Sequence, residues 1–238
     1  MNPAPLVPCE VLAIGPHPDD IEIAAAGALL LLRQAGAKVA LVDITRGEKG
    51  SRGTVAERDA EAAAAATLLG AACRHNLGLP DTGVRVDDAA TAALVAALRA
   101  VRPYLCLAPH ADDVHPDHTA VAELVTRACF LAGLRNYEPS LGAPHRPRVL
   151  LRYPGNRPVP PTMVVDITAV AAEKERVVKC YRSQLNPPDR GHLTLGLDVW
   201  ERALVRDRFH GATIGVRTGE PFVHDGPLPV HDLKTLLG

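Results

Sequence analysis

The chain has 238 residues, 47% of them hydrophobic and 22% charged, with a formal net charge of −1. That much apolar sequence buries one substantial core, so a single domain with at most a small appendage is expected; a charge so near zero supplies no field for nucleic acid or an anionic membrane, which leaves a small-molecule ligand. The five cysteines are odd in number, widely spaced and without a C-x-x-C pair, and the N-terminal Met1-Asn2-Pro3-Ala4-Pro5 lacks a basic stretch followed by a long apolar one, so a reducing, cytoplasmic setting without a disulfide frame or membrane span is expected.

In chain order, the apolar run over 11–14 reads as a buried strand and ends on Gly15-Pro16-His17-Pro18-Asp19-Asp20. A helical pattern over 21–34 follows, then a strand over 38–44, a Gly-rich polar loop over 46–54 and a helix over 55–69 that includes the alanines of 62–66. Strands over 74–79 and 104–108 flank a helix over 89–101, and the fourth strand runs into Pro109-His110-Ala111-Asp112-Asp113-Val114-His115-Pro116-Asp117-His118 ahead of a helix over 119–131. Later come strands over 148–153 and 163–167, a helix over 168–185 opened by a Thr cap, and another over 199–209, with loops over 135–147 and 186–195. Strand–helix alternation implies parallel pairing through right-handed crossovers: an α/β, Rossmann-like, mostly parallel sheet with helices on both faces. The core covers about 8–135, and a small C-terminal strand and helix extension about 148–238.

In such a sheet, ligands bind beyond the carboxyl ends of the strands where the crossovers change direction, usually between the first and fourth strands. Those two ends carry the His and Asp residues. Either cluster alone is explained by helix capping, through Asp19 or Asp20 in the first and Asp117 in the second; together, facing one crevice, they point to a metal site. His17 and Asp20, one turn apart, can converge on one ion, and His118 can close the site, leaving a position for water. Asp19 then stands beside the metal as a general base, and His115, three residues before His118, lies across the reacting carbonyl. Metal-assisted hydrolysis is the reaction class that follows. Zinc suits these ligands, and iron(II) is accepted by the same donors. Dinucleotide binding, for which Asp43 would be the ribose acid, is disfavoured, because the first turn holds two prolines without N–H groups and two acids that repel phosphate.

G-P-H-P-D-D-I-E, T-R-G-E-K-G-S-R-G-T, the R-x-x-E of Arg58 to Glu61 and D-V-H-P-D-H together resemble the PIG-L/LmbE-type zinc-dependent N-deacetylases. V-D-I-T at 165–168, Y-R-S-Q at 181–184 and G-E-P-F at 219–222 resemble the bacillithiol-biosynthesis branch, whose substrate is N-acetyl-α-D-glucosaminyl L-malate. The resemblance implies His17, Asp20 and His118 as zinc ligands, Asp19 as general base and His115 as stabiliser of the tetrahedral intermediate. It also implies an amino-sugar-binding set of Glu48, Arg58 and Asp81, with Arg52 in the same loop as Glu48, and homo-oligomers, often hexamers. Read without it, Arg58 and Glu61 are an exposed helix pair and Asp81 a turn residue. Val114 stands where many members carry Arg, so a malate group would need Arg46, Arg52, Arg152 or Arg182 instead. Other readings are an amidase of thiol conjugates, a deacetylase of another amino sugar, and a silent sugar- or metal-binding module, the last disfavoured because mere binding needs neither Asp19 nor His115. His192, in a Gly/Pro loop, reads as exposed, with a substrate-loop role as the alternative; His75, His145, His210, His224 and His231 lack acidic or histidine partners at ligand spacing and read as structural or solvated.

Overall fold

The computed structural model describes residues 5–185 and 198–228. Five parallel strands form the main sheet in the order β3-β2-β1-β4-β5: β1 Val11–Gly15, β2 Val39–Thr45, β3 Cys73–Leu79, β4 Leu105–Pro109 and β5 Val149–Tyr153. β1 is central, with Val11 paired to Val39 on one side and to Leu105 on the other, and every one of its residues is buried. A strand covered on both faces must be apolar throughout, which is why it reads as an unbroken run.

Alternate residues of β1 enter opposite cores. Leu12 and Ile14 pack with α3 (Asp88–Val101) and α4 (Pro116–Ala132), while Val11 and Ala13 pack with α1 (Asp20–Gln34) and α2 (Val55–Leu69). The helix boundaries have local causes. At α2, Thr54 Oγ1 accepts from the Glu57 N–H while the Glu57 carboxylate accepts from the Thr54 N–H, and Gly70 ends the helix in the left-handed region at φ 74°. α4 begins three residues earlier than the expected 119, because Pro116 occupies the first helical position, where its missing N–H costs nothing.

The expected helix over 168–185 is broken. A 3-10 turn, Thr168–Val170, leads into α5 (Ala171–Val178), and a second, Arg182–Gln184, follows. Thr168 caps nothing; its own N–H is received by the Asp166 carboxylate. α5 ends at Val178, and beyond it Glu61 accepts from both Ser183 N and Ser183 Oγ (2.7 Å each), holding the following residues in the 3-10 turn rather than the helix. β6 (Met163–Asp166) and β7 (Gly219–Phe222) form an antiparallel pair flanking α6 (Val199–Thr213) in the chain, and a bridge from Arg152 to Val223 ties β7 to β5. α6 opens with a second capping box, Asp198 with Glu201. No helix among the described residues is long and apolar enough to cross a membrane. The expected loop over 186–195, with His192, and also His231, lie outside the described residues.

Candidate metal centre

The crossovers change direction between β1 and β4, and the His- and Asp-bearing loops leave those adjacent strands. His17 and Asp20 come from the β1–α1 loop and the first residue of α1, His118 from the first turn of α4, and their candidate ligand atoms lie within 4.8 Å of one another. Asp20 is the hub: its Oδ2 is 3.0 Å from His17 Nδ1 and 3.3 Å from His118 Nε2. Each imidazole turns its other nitrogen to buried carboxylates. His118 Nδ1 is 3.1 Å from Asp113 Oδ2, and His17 Nε2 is 3.3 Å from both Asp81 Oδ1 and Asp117 Oδ2. Carboxylates behind histidines in this way fix the tautomer and orient the ring toward a cation. Asp113 also accepts from His115 N, Asn156 N and Asn156 Nδ2, and Asp117 from Thr82 N and Val84 N. A second grouping, His17 with His115 and Asp117, meets the same distance but lacks Asp20 and His118.

The electrostatics fit a divalent cation. Burial opposes charge on both imidazoles, but the hydrogen bond and charge of Asp20 lift His17 to about 9, and Asp20 with Asp113 lifts His118 to about 10. Asp20 and Asp113, though desolvated, are held well below the usual carboxylate range by their histidines. Two imidazolium protons around one carboxylate are the charge that one divalent ion replaces, so exchange leaves the local balance unchanged. The donor set, two imidazoles and a carboxylate, is that of a catalytic zinc site.

Asp19 stands beside this set and is not part of it. It precedes α1 at φ 119°, makes no capping bond, and lines the adjoining cavity; such a conformation costs a non-Gly residue about 1–3 kcal/mol and persists only when its surroundings impose it. Arg58 supplies part of that constraint. It is buried, not an exposed partner of Glu61; it donates to the Pro18 carbonyl at 2.6 Å and lies 3.4 Å from Asp19 Oδ1. Burial pushes the Asp19 carboxyl up to about 7 even against the Arg58 charge. His115 caps α4, its Nδ1 accepting from Asp117 N, which leaves the proton on Nε2. Its ring centroid is 4.8 Å from that of His17 and 5.1 Å from that of His118, and burial together with those two neighbours holds it below the ordinary histidine range.

Asp81 is buried, receiving Lys49 N at 2.7 Å, and its own N–H goes to Glu48 Oε1 at 2.9 Å. The Arg52 carbonyl accepts from Gln184. Glu48, Arg52, Arg58 and Asp81 thus stand on the β2 and β3 side of the centre, and none lines the cavity of about 510 Å³ that opens from Asp19, Asp20 and His118. That cavity runs between α6 and the turn after β5, where Gly155 passes so close to Asp113 and His118 that a Cβ would strike both. The sequence reading missed Asp113 and Asp117 as supports of the histidines, although both lie inside the D-D-V-H-P-D-H motif, and it missed His210, which lines the cavity. Asp43 is spent on Arg74, bound through Nε and Nη2 at 2.7 Å each, and is 2% exposed, which removes the acid a dinucleotide site would need.

Fold and site define a parallel α/β protein with a candidate cation site at its switch point and a buried carboxylate alongside. Residues 12–129 match the family described as PIG-L: GlcNAc-PI de-N-acetylase, and the chain belongs to that family. The conserved protein TT1542 from Thermus thermophilus is 39% identical and superimposes with a TM-score of 0.84 over 93% of this chain and 97% of its own. N,N'-diacetylchitobiose deacetylase from Pyrococcus horikoshii is 27% identical, with a TM-score of 0.78 over 90% of this chain and 83% of its own. A 1D-myo-inositol 2-acetamido-2-deoxy-alpha-D-glucopyranoside deacetylase from Nakamurella multipartita is 33% identical over 53% of this chain and 56% of its own length, so this chain spans little more than half of that relative.

Proposed function

We propose that the protein is a zinc-dependent N-deacetylase that removes the acetyl group from a GlcNAc conjugate, with iron(II) accepted by the same ligands. The observation that carries this reading is the convergence of His17, Asp20 and His118 within 4.8 Å with buried Asp19 beside them. The two named relatives, deacetylases of acetylated glucosamine compounds, support the substrate class. N-acetyl-α-D-glucosaminyl L-malate of bacillithiol biosynthesis is the conjugate the sequence resemblance favours. The five free thiols, four of them buried, fit a cytoplasmic setting.

When bound, a divalent cation would polarise the acetamide carbonyl and acidify water. The side chains do the rest. Asp19, raised toward neutrality by burial, accepts a proton from the attacking water and returns it to the departing amine nitrogen as the C–N bond breaks, giving acetate and a free amino sugar. His115, neutral and with its proton on Nε2, donates a hydrogen bond to the oxygen that gains charge. Arg58 holds the Pro18 carbonyl and so keeps Asp19 turned into the cavity.

The test is acetate release by zinc-loaded protein from GlcNAc-malate, N,N'-diacetylchitobiose and free GlcNAc, run beside a cysteine-conjugated glucosaminide. Acetate from at least one acetylated sugar is the expected result. Cysteine release without acetate would move the reaction to the amidase alternative, and turnover of none would overturn the enzyme reading.

A further inference from the structure

We infer that Arg202 on α6 is the residue that binds an anionic group on the conjugate joined to the acetamido sugar; this rests on the deacetylase reading above and adds to it the side chain that selects for that charge. The 510 Å³ cavity, of a size typical for small-molecule sites, begins at Asp19, Asp20 and His118 and extends between α6 and the turn after β5. Asp19 and Asp20 are the only carboxylates among its described lining residues, and both stand at the reacting end. The same lining holds three arginines, Arg157, Arg202 and Arg206.

Two of the three are already committed. Arg157 pairs with Asp112 at 2.7 Å, and Arg206 gives Nε and Nη2 to Asp207 Oδ1 at 3.0 and 2.8 Å, with Nη2 also on the Ile23 carbonyl at 2.6 Å. Arg202 is different. Among the described residues its guanidinium has a single contact, Nη2 to Asn156 Oδ1 at the limiting distance of 3.5 Å. Asn156 is itself fixed, its N and Nδ2 donating to Asp113 at 2.8 and 3.1 Å. Arg202 is exposed, lines the cavity and keeps its remaining donors available, in the planar arrangement that suits a carboxylate or a phosphate. Around the mouth, Val205 and Phe209 are 59% and 65% exposed and offer an apolar wall to the carbon frame that joins the anion to the sugar. No arginine beside the metal motifs is needed for this. The charge comes from α6, so Val114 in the fourth-strand loop does not argue against an acidic conjugate.

The experiment compares zinc-loaded wild type, Arg202→Gln, Arg202→Lys and Arg208→Gln on four substrates: GlcNAc-malate, GlcNAc 1-phosphate, methyl N-acetylglucosaminide and free GlcNAc. Arg208 is exposed on the same helix and does not line the cavity, so it controls for net charge. Wild type should favour one of the anionic conjugates over the methyl glycoside by about 10-fold or more in kcat/KM, the discrimination expected of a charge-assisted contact. Which of the two is favoured separates carboxylate from phosphate recognition. Arg202→Gln should remove that preference through KM while leaving the methyl glycoside within about 2-fold, Arg202→Lys should restore part of it, and Arg208→Gln should change nothing. Equal losses on charged and neutral glycosides in Arg202→Gln, or no preference for anions in wild type, would overturn the inference alone. Absence of acetate from every sugar would instead sink the deacetylase reading, and the inference with it.

Discussion

Lys174 on α5 is 1% exposed and makes two buried ion pairs, 2.6 Å to Asp207 of α6 and 2.7 Å to Glu220 of β7. Replacing it with Met keeps the volume and removes the charge. Asp207 would keep Arg206, but Glu220, 0% exposed, would keep only the Gly27 and Ala28 N–H groups, which donate at 2.8 and 2.7 Å. Removing one partner of a buried pair costs about 3–5 kcal/mol. The surviving backbone bonds and the remaining arginine place Lys174→Met near the lower figure, about 3 kcal/mol, which for a chain of this size is a fall in Tm of roughly 6–12 °C. Burial already raises the Glu220 carboxyl, and loss of Lys174 raises it further. An acid whose pKa is higher folded than unfolded binds the extra proton in the folded state, so stability falls as pH rises through the folded value. The deficit of the variant should accordingly be larger at pH 8 than at pH 5. Urea unfolding followed by circular dichroism at both pH values measures it, and Lys174→Met combined with Glu220→Gln should recover about half and lose the pH dependence. A deficit below about 1 kcal/mol, or one equal at both pH values, would show that the cluster does not hold α6 and β7 in the way described.

Asp19→Asn should leave bound zinc stoichiometric by metal analysis while kcat falls by about 100-fold or more; a rate within a few-fold of wild type would remove Asp19 from proton transfer. Asp113→Asn keeps one acceptor but loses the charge behind His118, and should weaken zinc binding by about 10–100-fold in a chelator competition. An unchanged affinity would mean that His118 needs no such support.

How much of this was legible in the sequence follows from the range of the interactions. Strands β1 to β5 and helices α1 to α4 are set by local periodicity, caps and turn residues, and their expected boundaries fall within a few residues of those observed. His17, Asp19 and Asp20 sit within one short motif, as do His115 and His118, so their meeting depended only on the strand order that places β1 beside β4. The end of α5 at Val178 was not legible, because the residues after it are held in a 3-10 turn by Glu61, 122 positions from Ser183. β7 was equally hidden: Gly219 and Pro221 argue against a strand, and the segment is one only because β6 pairs with it. Nor could Arg58 be distinguished from a surface residue, since its burial depends on Pro18 and Gly47 arriving from other loops.

The two walls of the cavity are held by different means. The Asp19 and Asp20 end hangs from the carboxyl ends of β1, buried throughout, and β4, with Asp113 and Asp117 bracing the imidazoles from behind. The far wall is α6, fastened by the Lys174, Asp207 and Glu220 cluster and by Arg206 on the Ile23 carbonyl, outside the main sheet. Substitutions on the exposed face of α6 should therefore change what enters the cavity without moving His17, Asp20 and His118. Packing of this kind separates the chemistry from the choice of conjugate. Motifs at the strand ends accordingly identify the family, whereas α6, which lines the cavity, carries none of them.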